Sequence, residues 1–308
     1  MIFDVLIERV VKCKNHTVVG LDPRLEYVPG FIREEANTGE VAKDAARAFL
    51  CYNKQLIDYL YDIVPAVKPQ IAFYEQYGPP GLECFMETCS YAKSKGMVVV
   101  GDVKRGDIGS TAEGYADFFL GDNAYSADTD IITVNPYLGT DSIAPFVKNC
   151  KKNGKGVFVL VKTSNKSSVD IQDLVSNGRR IYEHVAEIVV ELGDGSRGRH
   201  GYSSVGAVVG ATFKEDAARL RKLMKHNYFL VPGYGAQGGT AEDAAECFNE
   251  NGLGALVNSS RGIIAAYKAP DYSSRFSENQ FAEAAREAAI KMRDDINNEL
   301  GRQKKLAW

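Results

Sequence analysis

The sequence predicts an α/β fold: a single (β/α)8 barrel (TIM barrel) domain over residues 1–308, with long loops after strands 1 and 5 and a closing C-terminal helix. Three observations lead there. Eight short β-rich runs recur along the chain, the stretches between them carry helical periodicity, and no linker rich in proline or serine divides them into two groups. The runs occupy residues 16–21, 63–67, 97–103, 130–134, 156–161, 205–210, 228–231 and 254–257. They are almost continuously apolar instead of alternating, the pattern of parallel strands covered on both faces. A length of 308 residues would also suit two domains, and an open, doubly wound sheet is the alternative arrangement of the same elements.

The helical stretches are read from their spacing. Residues 39–61 place Ala42, Ala45, Ala46, Phe49, Leu56 and Leu60 three and four apart, and residues 179–192 do so with Ile181, Val185, Ile188 and Val189. Residues 277–300, with Phe281, Ala284, Ala285, Ala288, Met292 and Ile296, form the closing amphipathic helix. Two connections exceed what a minimal barrel needs, residues 22–62 and 162–204, the second including the polar GDGSRGRHGYSS. Long loops at the C-terminal face of a barrel serve as lids or substrate contacts, or are plain surface insertions.

Composition excludes several classes. With 45% hydrophobic and 25% charged residues the chain can bury a large core and has no disordered bias. Basic residues number 37 against 40 acidic ones, so there is no positive field to draw the protein to nucleic acid or an anionic membrane. The amino terminus, MIFDVLIERVVKCKN, carries Asp4, Glu8 and Arg9 among its apolar positions and lacks the uninterrupted core of a secretion signal. No apolar run approaches the ~18 residues of a membrane span. The six cysteines are scattered, and even Cys84 and Cys89 lack zinc-ligand spacing; they read as reduced thiols of a cytoplasmic protein. The four histidines are isolated and read as packed or surface side chains, which leaves no metal site.

In a barrel the chemistry sits where strands end. After the first run comes Asp22, after the second Lys68, within and after the third Asp102, Lys104 and Asp107, after the fourth Asn135, and after the fifth Thr163 and Ser164. In GDVKRGDIGST, residues 101–111, Asp102 and Lys104 are two apart and on a strand share a face. Gly106 then lets the chain turn, Asp107 falls in the following loop, and Thr111 is placed to start the next helix. The bland alternative is an exposed ion-paired hairpin, against which stand the valines before the motif and the glycines around it. Carboxylates beside Lys104 favour its charged form, which suits an ammonium that stabilises negative charge or donates a proton and not a Schiff-base amine. Two further stretches suit an anion: VPGYGAQGGTAED at 231–243, where glycines surround Gln237 and Thr240 caps a helix, and VNSSRGI at 257–263, where Arg261 can fork onto a phosphate. Loops after strands seven and eight are the customary phosphate position of such barrels.

Seven stretches in order, GLDPR (20–24), AVKPQIAFYEQYG (66–78), GDVKRGDIGST, TVNPYLGTDS (133–142), LVKTSN (160–165), VPGYGAQGG (231–239) and VNSSRGI, resemble the orotidine 5′-monophosphate decarboxylases of the longer bacterial type. The Asp-x-Lys-x-x-Asp core alone is shared with related sugar-phosphate decarboxylases and synthases. The resemblance implies a cofactor-independent carboxy-lyase that converts orotidine 5′-monophosphate to uridine 5′-monophosphate. It assigns Lys68, Asp102, Lys104 and Asp107 to the charged catalytic network, with Asp107 and Thr111 given to the partner's site in a homodimer. It places Asp22 and Lys68 on the ribose hydroxyls, Ser164 on the pyrimidine, and Gln237, Arg261 and the Ser260 backbone on the phosphate; Pro232 joins the substrate-binding set. One departure is TSNKSS, with Lys166 and Ser167 where the family commonly has Pro and Gly. Two other functions stay open: a Mg²⁺-dependent sugar-phosphate decarboxylase or synthase of the same barrel group, and a non-catalytic phosphate-binding barrel.

Overall fold

Eight parallel strands close on themselves in the computed structural model, which describes residues 1–235 and 238–308. They are β1 (Thr17–Leu21), β2 (Ala66–Pro69), β3 (Val98–Arg105), β4 (Ile131–Val134), β5 (Gly156–Lys162), β6 (Val205–Val209), β7 (Phe229–Val231) and β8 (Ala255–Ser259). Each pairs with its neighbour in sequence, and β1 closes the ring against β8 with Thr17 opposite Val257. The expected barrel is the observed one.

Burial on both faces explains why the strands read as unbroken apolar runs. Val18, Ala66, Val98, Val100, Ile131, Phe158, Val208, Leu230 and Leu256 pack inside the barrel, while Val19, Val67, Val99, Ile132, Val159 and Val257 meet the surrounding helices. The second strand begins three residues later than the sequence suggests. Helix Val41–Leu60 continues into a turn in which the amides of Ile63 and Val64 both donate to Leu60 O, so the strand starts after Pro65. Lys68 consequently lies within β2 and not beyond it.

The long connection 22–62 is mostly helical, holding Gly30–Ala36 and Val41–Leu60. The connection 162–204 holds a short helical turn, Lys166–Gln172, a two-strand hairpin (Val175–Ser176 with Arg179–Arg180) and helix Ile181–Gly193. The carboxyl-terminal helix spans Phe281–Arg302.

One element carries more weight than its sequence reading suggested. Residues 2–13 form a helix whose Phe3, Leu6, Ile7 and Val10 plug the end of the barrel opposite the polar strand ends. Phe3 stands edge-on to Phe158 at 5.4 Å between ring centroids.

The same closed end buries His16. Its ring stacks on Trp308 at 4.9 Å and meets Phe248 edge-on at 4.7 Å, and neither nitrogen has a hydrogen-bond partner among the described residues. Burial alone pushes this imidazole down to about 3. The folded state therefore excludes a proton that the unfolded chain takes up near pH 6.5. Stability from this group is complete above that pH and declines toward pH 3, by up to about 1.4 kcal/mol per pH unit. Replacing His16 with leucine is expected to flatten the fall in urea midpoint between pH 7 and pH 4.5; an unchanged slope would assign the acid sensitivity elsewhere.

Candidate active site

A cavity of about 1,330 Å³ opens at the carboxyl ends of the strands. Its polar wall continues the inward parity of the barrel. Extending two residues at a time from Val18, Ala66, Val100, Ile131 and Leu256 leads to Asp22, Lys68 and Gln70, Asp102, Thr133 and Asn135, and Asn258 and Ser260, all of which line it.

At its floor the Asp102 carboxylate is buried and accepts four hydrogen bonds. Oδ2 takes Lys68 Nζ at 2.9 Å and Gln70 Nε2 at 2.9 Å; Oδ1 takes Lys104 Nζ at 2.5 Å and Thr133 Oγ1 at 2.9 Å. Four donors use the full acceptor capacity of a carboxylate. Burial opposes its ionisation, but the two lysines outweigh that and hold Asp102 well below the usual carboxylate range. Burial likewise opposes the charge on Lys68, and Asp102 and Asp22 together outweigh it and raise its pKa. Asp102 is thus an anchor for cations and not a base.

The two lysines differ in access. The Lys68 side chain is 5% exposed and that of Lys104 is 47% exposed, so Lys104 is the cation offered to a ligand. Asp22 Oδ1 lies 3.9 Å from Lys68 Nζ and has no hydrogen-bond partner among the described residues, which leaves a buried acceptor at the cavity wall.

Flat strand alternation does not produce the Asp102–Lys104 pairing as expected. The β3–β4 register runs through Gly101 opposite Ile132 and resumes at Arg105 opposite Val134, four steps on one strand against two on the other. Within this bulge Lys104 has φ 45°, a left-handed conformation that a non-glycine residue enters at a cost of roughly 1–2 kcal/mol. Thr133 compensates: its hydroxyl oxygen accepts the amides of Val103 at 3.0 Å and Lys104 at 2.9 Å while its proton goes to Asp102.

At the opposite rim, Pro232, Ser260 and Arg261 line the cavity. Ser260 packs so close to β1 that a Cβ on residue 20 would fall 1.9 Å from its Oγ, which explains Gly20. Among the described residues the Arg261 guanidinium forms no ion pair. The helix after the glycine-rich loop is short and two of its first amides are already taken. It has only five residues, Ala241–Ala245, and a capping box closes it: Asp243 Oδ2 accepts Thr240 N at 2.9 Å and Thr240 Oγ1 accepts Asp243 N at 3.2 Å. Gln237 lies outside the described residues.

Ser164 lines the wall beyond β5. Asp107 and Thr111 do not line this cavity: Asp107 Oδ1 accepts the Ile108 amide at 2.8 Å, and Thr111 is exposed on helix Gly109–Leu120. Arg105 points away from the cavity, pairing with Glu75 and lying over the rings of Tyr115 and Phe119. The sequence reading missed Gln70, Thr133 and Asn258. Asn258 Oδ1 is buried without a hydrogen-bond partner among the described residues.

Thr133→Val keeps the shape but strands two amides and one carboxylate lone pair. It is expected to lower the unfolding free energy by about 2–3 kcal/mol in urea titration, with Thr133→Ser retaining most of it. Equal stability of all three proteins would refute the bridging role.

Comparison with known proteins shows the family. Residues 18–274 match the Orotidine 5′-phosphate decarboxylase / HUMPS family. An orotidine 5′-phosphate decarboxylase of Rhodopirellula baltica is 45% identical over 291 residues, covering 93% of this chain and 96% of that one. One from Clostridium perfringens is 44% identical over 302 residues, covering 97% and 99%. The structure of Leishmania donovani OMP decarboxylase superimposes with a TM-score of 0.72 at 32% identity, covering 94% of this chain and 98% of that one. The chain belongs to the orotidine 5′-phosphate decarboxylase / HUMPS family.

Proposed function

We propose that this chain decarboxylates orotidine 5′-monophosphate to uridine 5′-monophosphate, the last step of de novo UMP synthesis, without a cofactor. The observation that carries the reading is the half-exposed Lys104 ammonium, fixed to a saturated Asp102 in a cavity with Arg261 at its far rim. In the reaction the bond from carbon 6 to the carboxylate breaks, CO₂ leaves, and the electron pair stays on carbon 6. Lys104 stabilises that carbanion and transfers its proton to carbon 6; solvent then reprotonates the amine.

One ammonium is not sufficient by itself. A unit charge pair at ~4 Å in an effective dielectric of ~20 contributes about 4 kcal/mol, roughly three decades of rate if expressed only in the transition state. The remainder is assigned to binding of the distant groups, which orders the site and excludes water. Arg261, Gln237 and the Ser260 backbone hold the phosphate, Asp22 and Lys68 the ribose hydroxyls, Ser164 the pyrimidine, and Pro232 the wall beside them.

Asp107 and Thr111 do not line their own cavity, which supports their assignment to the site of a partner in a homodimer. No helix is long and apolar enough to cross a membrane among the described residues, and a cytoplasmic location fits an enzyme of nucleotide synthesis.

Orotidine monophosphate incubated with the protein and a chelator is expected to lose its carboxylate, followed by the ultraviolet change. Turnover abolished by the chelator and restored by Mg²⁺ would instead favour the metal-dependent sugar-phosphate reaction. Lys104→Ala is expected to lower kcat by at least about 10³-fold while uridine monophosphate still binds; unchanged turnover would leave only a binding protein. Mixing Lys104→Ala chains with Asp107→Ala chains is expected to regenerate activity in hybrid dimers, since one of the two sites then carries both native residues. Subunit exchange without recovered activity would refute the shared site.

A further inference from the structure

Lys162 ends β5 with no exposed surface, and the reaction above gives it no part. The β5–β6 register explains its position. Leu160 pairs with Val208 and Lys162 with Val209, two steps against one, so a bulge turns Lys162 out of the barrel into the layer beneath the helices. There its ammonium lies 2.5 Å from Asp173 Oδ1, 3.8 Å from Asp216 Oδ2 and 4.3 Å from the Phe213 ring. Arg180 reaches Asp216 Oδ1 at 3.1 Å, and the Tyr182 hydroxyl donates to the same oxygen at 2.8 Å. Two cations and two anions balance, so the enclosed charge is compensated.

Asp173 belongs to the segment that follows Ser164, and a second fastening lies beside the first. The Thr163 amide donates to Gln172 Oε1 at 3.0 Å, and Gln172 Nε2 donates to Thr163 Oγ1 at 2.8 Å. Residues 162 and 173, and residues 163 and 172, are therefore joined in successive rungs that close the neck of the loop carrying Ser164. The loop's back is fixed too. Thr212 Oγ1 donates to Ser164 O at 3.3 Å, and a Cβ on residue 210 would fall 2.9 Å from Ser164 Cα, so only Gly210 permits the approach. No proline occurs between residues 145 and 232, and the stiffness of this loop has to come from such fastenings.

We propose that Lys162, Asp173 and Gln172 are positioning residues that hold Ser164 against the substrate base through the two rungs of this neck. The inference rests on the assignment of Ser164 to the pyrimidine. Lys162→Met would leave Asp173 with only Arg180 at 4.0 Å and endanger folding, so the test uses Asp173→Asn, which leaves Asp216 to partner the lysine, together with Ser164→Ala and the double variant.

The expected result is a loss of kcat/KM of about 10-fold for Asp173→Asn and a double variant no worse than Ser164→Ala alone. Uridine monophosphate should bind Asp173→Asn several-fold more weakly, while ribose 5-phosphate, which lacks the base, binds as before. Multiplying losses in the double variant, an unchanged kcat/KM in Asp173→Asn, or equal weakening toward both ligands would overturn the proposal while leaving Ser164 in place. An unchanged kcat/KM in Ser164→Ala itself would remove the pyrimidine contact and this inference with it.

Discussion

The buried carboxylate of Asp102 is the constraint on which the upper half of the barrel depends. An isolated charge at that depth would cost several kcal/mol, and it persists because four donors from three strand regions converge on it. Lys68 and Gln70 come from the end of β2, Lys104 from β3 itself and Thr133 from β4. The contact is mutual. Without the anion, Lys68 would be a buried ammonium with only Asp22 nearby at 3.9 Å. One carboxylate therefore fixes the relative positions of three neighbouring strand ends as well as the charge state of the cavity floor.

The local charges also set what the floor does to a ligand. Lys68, Lys104, Asp22 and Asp102 sum to zero within one protomer. A substrate carboxylate brought beside them meets Lys104 as its accessible cation, and Lys104 is already committed to Asp102. The proposed arrival of Asp107 from a partner would make the floor net negative, which opposes the substrate's carboxylate while its charge is intact. The opposition fades as CO₂ departs, whereas the ammonium's attraction for the carbanion grows, so the two effects act in the same direction along the reaction.

The barrel was legible in the sequence because parallel strands covered on both faces leave unbroken apolar runs such as Met97 to Val100 and Gly156 to Val161. The same property hid the parity of each strand. Where both faces are apolar, nothing in the sequence says whether Val99 or Val100 points inward, so Gln70, Thr133 and Asn258 carried no mark that separated them from other polar strand ends. Asp102 and Lys104 were found as a pair, but by a rule of alternation that the bulge breaks; the side chains meet because Lys104 adopts a left-handed backbone that the Thr133 hydroxyl makes tolerable. The helix at 241 is capped as its sequence predicts. Thr240 and Asp243 are visible as a capping pattern, and that pattern occupies the Thr240 and Asp243 amides. The amino-terminal helix went unread although Phe3, Leu6, Ile7 and Val10 have helical spacing, because its acidic and basic residues were weighed only against a secretion signal.

The two ends of the barrel divide the energetic tasks. At the closed end, helix Ile2–Cys13, Trp308 and the inward aromatic rings form an apolar region that also encloses the neutral His16 and the Tyr228 hydroxyl. At the open end the chain tolerates a left-handed lysine, two register shifts and several buried charges. Each is unfavourable on its own, and the register shifts and the Lys68–Asp102–Lys104 charges lie away from the closed end, where Phe3, Phe158 and Tyr228 hold the lower strands together. Strain at the reactive end is sustained because it lies in the upper ends of strands whose lower portions are fixed by apolar packing. That separation lets the Lys104 ammonium be oriented before any ligand arrives, and an oriented charge needs no reorganisation at the moment when the proposed carbanion would form.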